Sequence, residues 1–307
     1  MANSTVFNPL PYQSPQKDQW KVIKEKTKKI IFYIVLAMIV FMILAPFLWM
    51  LISSVSPQVE LISKPPHWIP EKMTFSRYMA LFGKAAAGQS VPAAASKFLA
   101  ALQSSLIVSS ATTLICMIAG TLSAYAFARL SIPGRSKFLI GILAAQMLPV
   151  IVVIIPLYLV MQSLDLMDTW RGLVLLYSGF MLPTVIWIMD SYFQTIPRDL
   201  EEAAMIDGCS RIGALWRVVL PLAGPGLVAV ASFTFLSAWN EFFMSLIFTA
   251  SHAKTITVIV TEFTTQFGID FGLMATGGVI GSIPPLILAF LLQKYIVQGL
   301  TAGAVKG

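Results

Sequence analysis

Charge is what this chain has least of. Of its 307 residues, 11% are charged and 57% are hydrophobic, whereas a soluble domain is about 25% charged. That deficit excludes a water-soluble enzyme, and the apolar surplus excludes disorder. Histidine and cysteine are scarcer still: His67, His252, Cys116 and Cys209 are all there are. They are too few for a Cys/His zinc site or for a disulfide scaffold. The phosphate-loop pattern G-x-x-x-x-G-K-[ST] is missing, and Gly83-Lys84 is not in its frame. No repeat of about 20–50 residues and no low-complexity tail is present. The residues therefore hold no catalytic, cofactor-binding or metal constellation of their own.

What is present is a series of long uncharged runs. About 20 apolar residues are needed to cross about 30 Å of hydrocarbon as a helix. Six runs meet that length and predict transmembrane helices over about 30–53, 102–127, 138–162, 173–193, 222–248 and 273–296. The first run is too long for a signal peptide and lacks a small-residue cleavage site. The expected fold is all-α, a polytopic membrane protein. Its divisions are a basic leader over 1–29, a six-helix domain over 30–298 and a short tail over 299–307.

Lysine and arginine set the orientation. The leader, the 2–3 and 4–5 connections and the tail hold fourteen of the 21, including Lys17, Lys21, Lys24, Lys26, Lys28 and Lys29. The opposite side holds seven, five of them in the long 1–2 loop. Both termini are thus expected in the cytoplasm. The net charge of +7 is explained by topology, with no nucleic-acid role; the Lys21–Lys29 cluster is read as a topological anchor, with contact to anionic lipid as the alternative.

The 4–5 connection, about 195–221, is far longer than a turn requires. Pro197 suits a helix start and Asp199, Glu201 and Glu202 suit its N-terminal dipole. Gly208 suits the stop. Ile212, Leu215, Trp216 and Val219 then recur at helical spacing as one apolar face. This helix–turn–helix beneath the membrane is expected to offer a firm surface to a cytoplasmic partner. Ala203 and Ala204 permit close approach, and Glu202 can pair with a basic residue of that partner.

At this point the residues carry a resemblance. Glu202-Ala203-Ala204, then Gly208 after three residues, then Val218-Val219-Leu220-Pro221 after nine more, is similar to the EAA loop of ABC importer permeases, E-A-A-x3-G-x9-I-x-L-P. Val218 replaces the usual Ile. Tyr125-Ala-Phe-Ala-Arg129, Pro133-Gly134, Ala238-Trp239-Asn240-Glu241 and the ending Gly299 to Gly307 resemble the carbohydrate-uptake subfamily. The resemblance implies a type I ABC importer permease fold in a bacterial inner membrane. It also implies a loop that couples to an ABC ATPase dimer through Glu201, Glu202, Ala203, Ala204, Asp207, Gly208, Leu220 and Pro221. A second homologous permease, a periplasmic or lipid-tethered binding protein and a saccharide substrate are implied as partners. ATP and Mg²⁺ would be bound by the ATPase, not by this chain. A polyol, a glycerol-phosphate derivative or another small solute remains open as the cargo. An ion-coupled secondary transporter is the competing class, but it would use more intramembrane carboxylates than Glu241.

Trp239, Asn240 and Glu241 on the fifth span and Gln146 on the third have two readings, a translocation pathway or polar contacts between helices. Asp190 is read as interfacial. Six prolines fall in or beside spans, where they free carbonyls and bend helices. Gly277-x-x-x-Gly281 is read as a packing motif.

Overall fold

A computed structural model describes the backbone of residues 15–65, 67–84, 93–265 and 268–302, with side chains over 23–65, 67–84, 93–263 and 268–294. Residues 1–14 of the leader, part of the alanine-rich stretch near 85–95 and the last tail residues lie outside the described residues.

The chain divides into two units, residues 1–52 and 53–307. The first is dominated by helix α1, Pro15–Val55, so the helix already runs through the later lysines of the leader. Its apolar side chains are exposed, Phe41 at 66% and Ile43 at 69% among them.

The second unit begins with short helices α2 (Gln58–Leu61), α3 (Ser76–Leu81) and α4 (Ala93–Ser96). There follow α5 (Phe98–Arg129), α6 (Arg135–Gln146), α7 (Val150–Ser163) and α8 (Trp170–Thr195). Next come α9 (Arg198–Ile206), α10 (Arg211–Ala214), a π-helical turn (Leu215–Val219) and α11 (Leu220–Leu222). The remainder is α12 (Gly224–Trp239), α13 (Phe243–Phe248), α14 (Ile256–Thr261) and α15 (Phe271–Ala302). A two-residue ladder pairs Thr264–Thr265 with Gly268–Ile269, a small departure from an all-helical chain.

Among the described residues, four helices are long and apolar enough to cross a membrane alone: α1, α5, α8 and α15. The count reaches six when each of two bent pairs is one span. The expected third span is not one straight helix. It is α6 and α7, meeting at 90° where Pro149 opens α7 with extended backbone; a proline cannot donate the N–H that would continue the helix. The expected fifth span also differs. Arg211–Leu222 meets α12 at 79°, and α12 ends at Trp239, so 222–248 is α12, a break at 240–242 and α13.

Apolar packing around α5 and α8 builds the core. One cluster joins Cys116, Tyr125, Val185, Met189 and Phe193 to Leu215 and Val219 of the π turn. A second joins Val108, Met161, Leu173 and Tyr177 to Met244 and Phe248. A third places Phe98 and Trp239 against Ile256, Phe263 and Leu273. Close approach comes from small residues. A Cβ on Gly226 would lie 2.6 Å from the Tyr192 ring, and one on Gly277 would lie 2.8 Å from Phe263. The Gly277–Gly281 pair thus packs α15 onto α14 and its flank.

At the N-terminal end of α8, Asp168 adopts a left-handed backbone, φ 52° being matched at Asp165 and 51° at Asp168 itself. Its carboxylate accepts backbone N–H bonds from Ala250, His252 and Ala253 at 3.0 Å and from Ser251 at 3.1 Å. This knot ties the α7–α8 turn to the segment after α13.

Candidate functional site

The 195–221 connection folds as helix, turn, helix. Thr195 ends α8, Ile196 and Pro197 are extended, and α9 starts at Arg198 with Asp199 and Glu201 in its first turn. The acids lie where the positive end of the helix dipole favours them. Gly208 stops the helix with φ +89°, a conformation that costs an L side chain. Ser210 caps the next helix, its Oγ accepting from the Gly213 N–H at 3.1 Å. The sequence reading missed that cap, although Ser three residues before an exposed turn is a standard N-cap signal.

The predicted apolar face of the second helix is split. Leu215 and Val219 are buried, while Ile212 is 69% and Trp216 64% exposed. Leu215 and Val219, in the π turn, pack into the core cluster of α5 and α8, and Ile212 and Trp216 do not. Trp216 instead borders an apolar groove of about 340 Å³ with Met117, Ile118 and Leu122 of α5 and Leu227 and Val228 of α12.

The two adjacent glutamates separate. Glu202 is exposed, as are Ala203, Asp207 and Gly208, and Ile206 is 85% exposed beside them. Ala204 and Leu220 are half-buried and Pro221 is exposed. Glu201 points the other way and is 4% exposed. Its carboxylate is 2.9 Å from the Arg129 Nε and accepts a short hydrogen bond from the Tyr125 hydroxyl. Glu201 is therefore no part of the exposed surface with which the sequence grouped it; it holds that surface from within. Arg129 Nη2 also donates to the Ile196 carbonyl at 2.9 Å, and Arg198 Nη2 donates to the Ala128 carbonyl at 3.1 Å. Tyr125 and Arg129 are four residues apart on one face of α5, and nothing in that spacing names Glu201 as their shared partner.

Asp190, expected at an interface, is buried at 3% exposure. Arg135 Nη2 donates to its two oxygens at 2.7 and 2.6 Å and Gln194 Nε2 donates at 2.8 Å. A buried carboxylate is tolerated when paired this fully.

The intramembrane candidates are engaged by the protein itself. Trp239 is 3% exposed, stacks on Phe235 with centroids 5.8 Å apart and donates from Nε1 to the Gly281 carbonyl at 3.1 Å. A ring so covered has no free face for a sugar. Asn240 donates to the Leu236 carbonyl at 2.8 Å while remaining exposed. Glu241 caps α13, accepting from the Met244 N–H at 3.0 Å and the Ser245 N–H at 3.2 Å. Gln146 Nε2 donates to the Phe180 carbonyl and to Thr184 Oγ1, both at 2.8 Å. The structure brings none of the four together into one cavity among the described residues.

Cys116 is buried and Cys209 half-buried, both as free thiols. Among the described residues no cluster of three His, Cys, Asp or Glu side chains has metal-binding geometry.

Comparison with known proteins places these features. Residues 117–302 match the family model for the binding-protein-dependent transport system inner membrane component. The trehalose/maltose transport system permease protein MalG of Thermococcus litoralis is 36% identical over 286 residues, covering 92% of this chain and 99% of the relative. The sulfoquinovosyl glycerol transport system permease protein SmoH of Agrobacterium fabrum is 35% identical over 265 residues, covering 86% and 89%. In fold, the chain is similar to one from the crystal structure of a bacterial ABC transporter involved in alginate import. There the TM-score is 0.73 at 21% identity, over 93% of this chain and 99% of that one. The chain therefore belongs to the family of binding-protein-dependent transport system inner membrane components.

Proposed function

We propose that this chain is one membrane-spanning half of an ATP-driven saccharide importer and that α9 and the Gly208 turn form its docking surface for an ABC ATPase. The observation that carries the coupling reading is the division of the two glutamates. Glu201 is locked inside while Glu202, Ala203, Ile206 and Asp207 are presented outward on a short, capped helix. A surface with a carboxylate, a small residue and an exposed Ile side by side suits a cleft with a basic residue and an apolar wall. ATP and Mg²⁺ are assigned to that partner. A second permease completes the pathway, and a binding protein delivers the solute. The saccharide assignment rests on relatives whose names specify trehalose, maltose, diacetylchitobiose and sulfoquinovosyl glycerol.

Affinity capture of the tagged chain in mild detergent tests the assembly: an ABC ATPase and a second permease are expected to copurify. A thermal-shift screen of saccharides against the captured binding protein then identifies the cargo. Glu202→Lys reverses the charge at an exposed position, so the complex is expected in normal amount. ATP hydrolysis in it should no longer drive uptake of that sugar. Wild-type uptake by the Glu202→Lys complex would end the coupling assignment.

A further inference from the structure

We propose that the Glu201–Arg129–Tyr125 cluster is a positioning clasp, through which movement of the docking loop is delivered to α5 and along it to the opposite end of the molecule. The inference rests on the docking role proposed for α9 and adds to it the residues that connect that helix to the rest of the fold.

The clasp joins two elements that are far apart in sequence. Glu201 lies in the first turn of α9, and Tyr125 and Arg129 lie in the last two turns of α5. The two glutamate oxygens face different groups: Oε2 is ion-paired with Arg129 Nε at 2.9 Å without the alignment of a hydrogen bond, and Oε1 accepts from Tyr125. Arg129 and Glu201 side chains are 4% and 6% exposed. In such a setting an ion pair is little screened, and either partner left alone is a buried charge. The backbone contacts are reciprocal as well. Arg129 donates across to Ile196, ahead of α9, and Arg198, at the start of α9, donates back to Ala128. Two guanidiniums each reach the other strand of the crossing, so α9 cannot shift along or away from the end of α5 without breaking several bonds together.

The other end of α5 is tied in the same manner. Ser104 Oγ accepts from Trp170 Nε1 at 2.9 Å, and Ser105 Oγ accepts from the Ile256 N–H at 2.8 Å. Those partners are the first residues of α8 and of α14, next to the Asp168 knot. With 32 residues, α5 is about 48 Å long at 1.5 Å per residue. It is one unbroken helix, whereas the third and fifth spans are bent. A continuous helix held at both ends is the element suited to carry a displacement, since a packed helix moves as a unit and does not deform continuously.

The test follows backbone hydrogen exchange in the complete complex, captured with its ATPase and second permease and trapped with ATP and vanadate. This readout needs no sugar. In wild type, trapping is expected to change exchange both in α9 and in residues 250–258. In Glu201→Gln, which keeps the shape and removes the charge, the change in α9 should persist while that at 250–258 falls about fivefold or more, the scale of a modest coupling free energy. Tyr125→Phe, which keeps the ion pair, should show a smaller loss of the same kind. If both segments respond as in wild type, there is no clasp. If both responses vanish together, or if neither variant assembles, the cluster only builds the docking surface or the fold, and the proposal fails. If wild-type α9 itself is unaffected by trapping, the docking role fails, and Glu202→Lys in the same preparation distinguishes that outcome from failure of the clasp alone.

Discussion

At the scale of single residues, backbone conformation decides more than chemistry at two positions. Gly208 has φ +89° and nothing within 4 Å of where a Cβ would stand. Space is not the constraint there; the left-handed backbone is. Gly208→Val is expected to cost about 1–2 kcal/mol and to open the turn, lowering capture of the ATPase. Gly208→Asn should do less harm, because Asn tolerates this region. Equal capture by wild type and the Val variant would remove the turn from the docking surface. Asp168 is the other case. Burial pushes its carboxyl up, but the N–H groups of Ala253, His252, Ala250 and Ser251 outweigh that and hold it below the usual carboxylate range. A lowered folded-state pKa gives stability that is full above the unfolded value, about 3.9, and that fades as pH falls through the folded one. Protection of the amides at 250–253 is therefore expected to be flat from neutral pH to about pH 4 and to drop below it. In Asp168→Ala these amides should be weakly protected throughout, with no acid step. An acid step that survives in the variant would place the titrating group elsewhere.

At the scale of elements, packing geometry is set by glycines that the sequence shows and by breaks that it does not. The Cβ of any larger residue at 226 would meet the Tyr192 ring at 2.6 Å. Gly226→Val should then force α12 from α8 and cost about 1–3 kcal/mol by overpacking, read as a lower thermal midpoint in detergent. Adding Tyr192→Ala should recover part of the loss, and no recovery would mean that the contact is not the cause. Six spans were legible because uncharged length is a strong signal. The bends were not, because hydropathy carries no direction. Pro149 and Pro225 stand at or beside breaks, yet Pro156, Pro183, Pro284 and Pro285 sit inside continuous helices. A proline marks a permitted kink, and neighbouring packing determines whether one forms. The adjacent glutamates show the same limit. Sequence placed Glu201 and Glu202 in one loop, but their opposite directions depend on Arg129, about seventy residues earlier in the chain, whose partner no local pattern specifies.

At the scale of the whole molecule, the two ends of α5 define its sides. Glu201, Arg129 and Gly208 gather at one end, and Ser104, Trp170, Asp168 and the 250–253 segment gather at the other. From Ser104 to Arg129 the helix runs about 38 Å at 1.5 Å per residue, more than the roughly 30 Å of hydrocarbon, so the docking loop and the Asp168 knot are expected on opposite faces of the membrane. Lysine and arginine then say which face is which. Fourteen of 21 fall in the leader, the 2–3 and 4–5 connections and the tail, and the charge rule predicts that such an excess faces the cytoplasm. The two cysteines make this measurable with little alteration. Cys116 is buried and Cys209, in the docking loop, is half-buried and free. With Cys116→Ala in place, a membrane-impermeant maleimide should label Cys209 in inside-out vesicles and leave it untouched in right-side-out ones. A second variant carrying Cys209→Ser and His252→Cys should label with the opposite polarity, since His252 is exposed beside the Asp168 knot. If both sites label from the same side, α5 does not span the bilayer. If both polarities are reversed, the charge rule has been misapplied and α9 faces the binding protein instead of the ATPase.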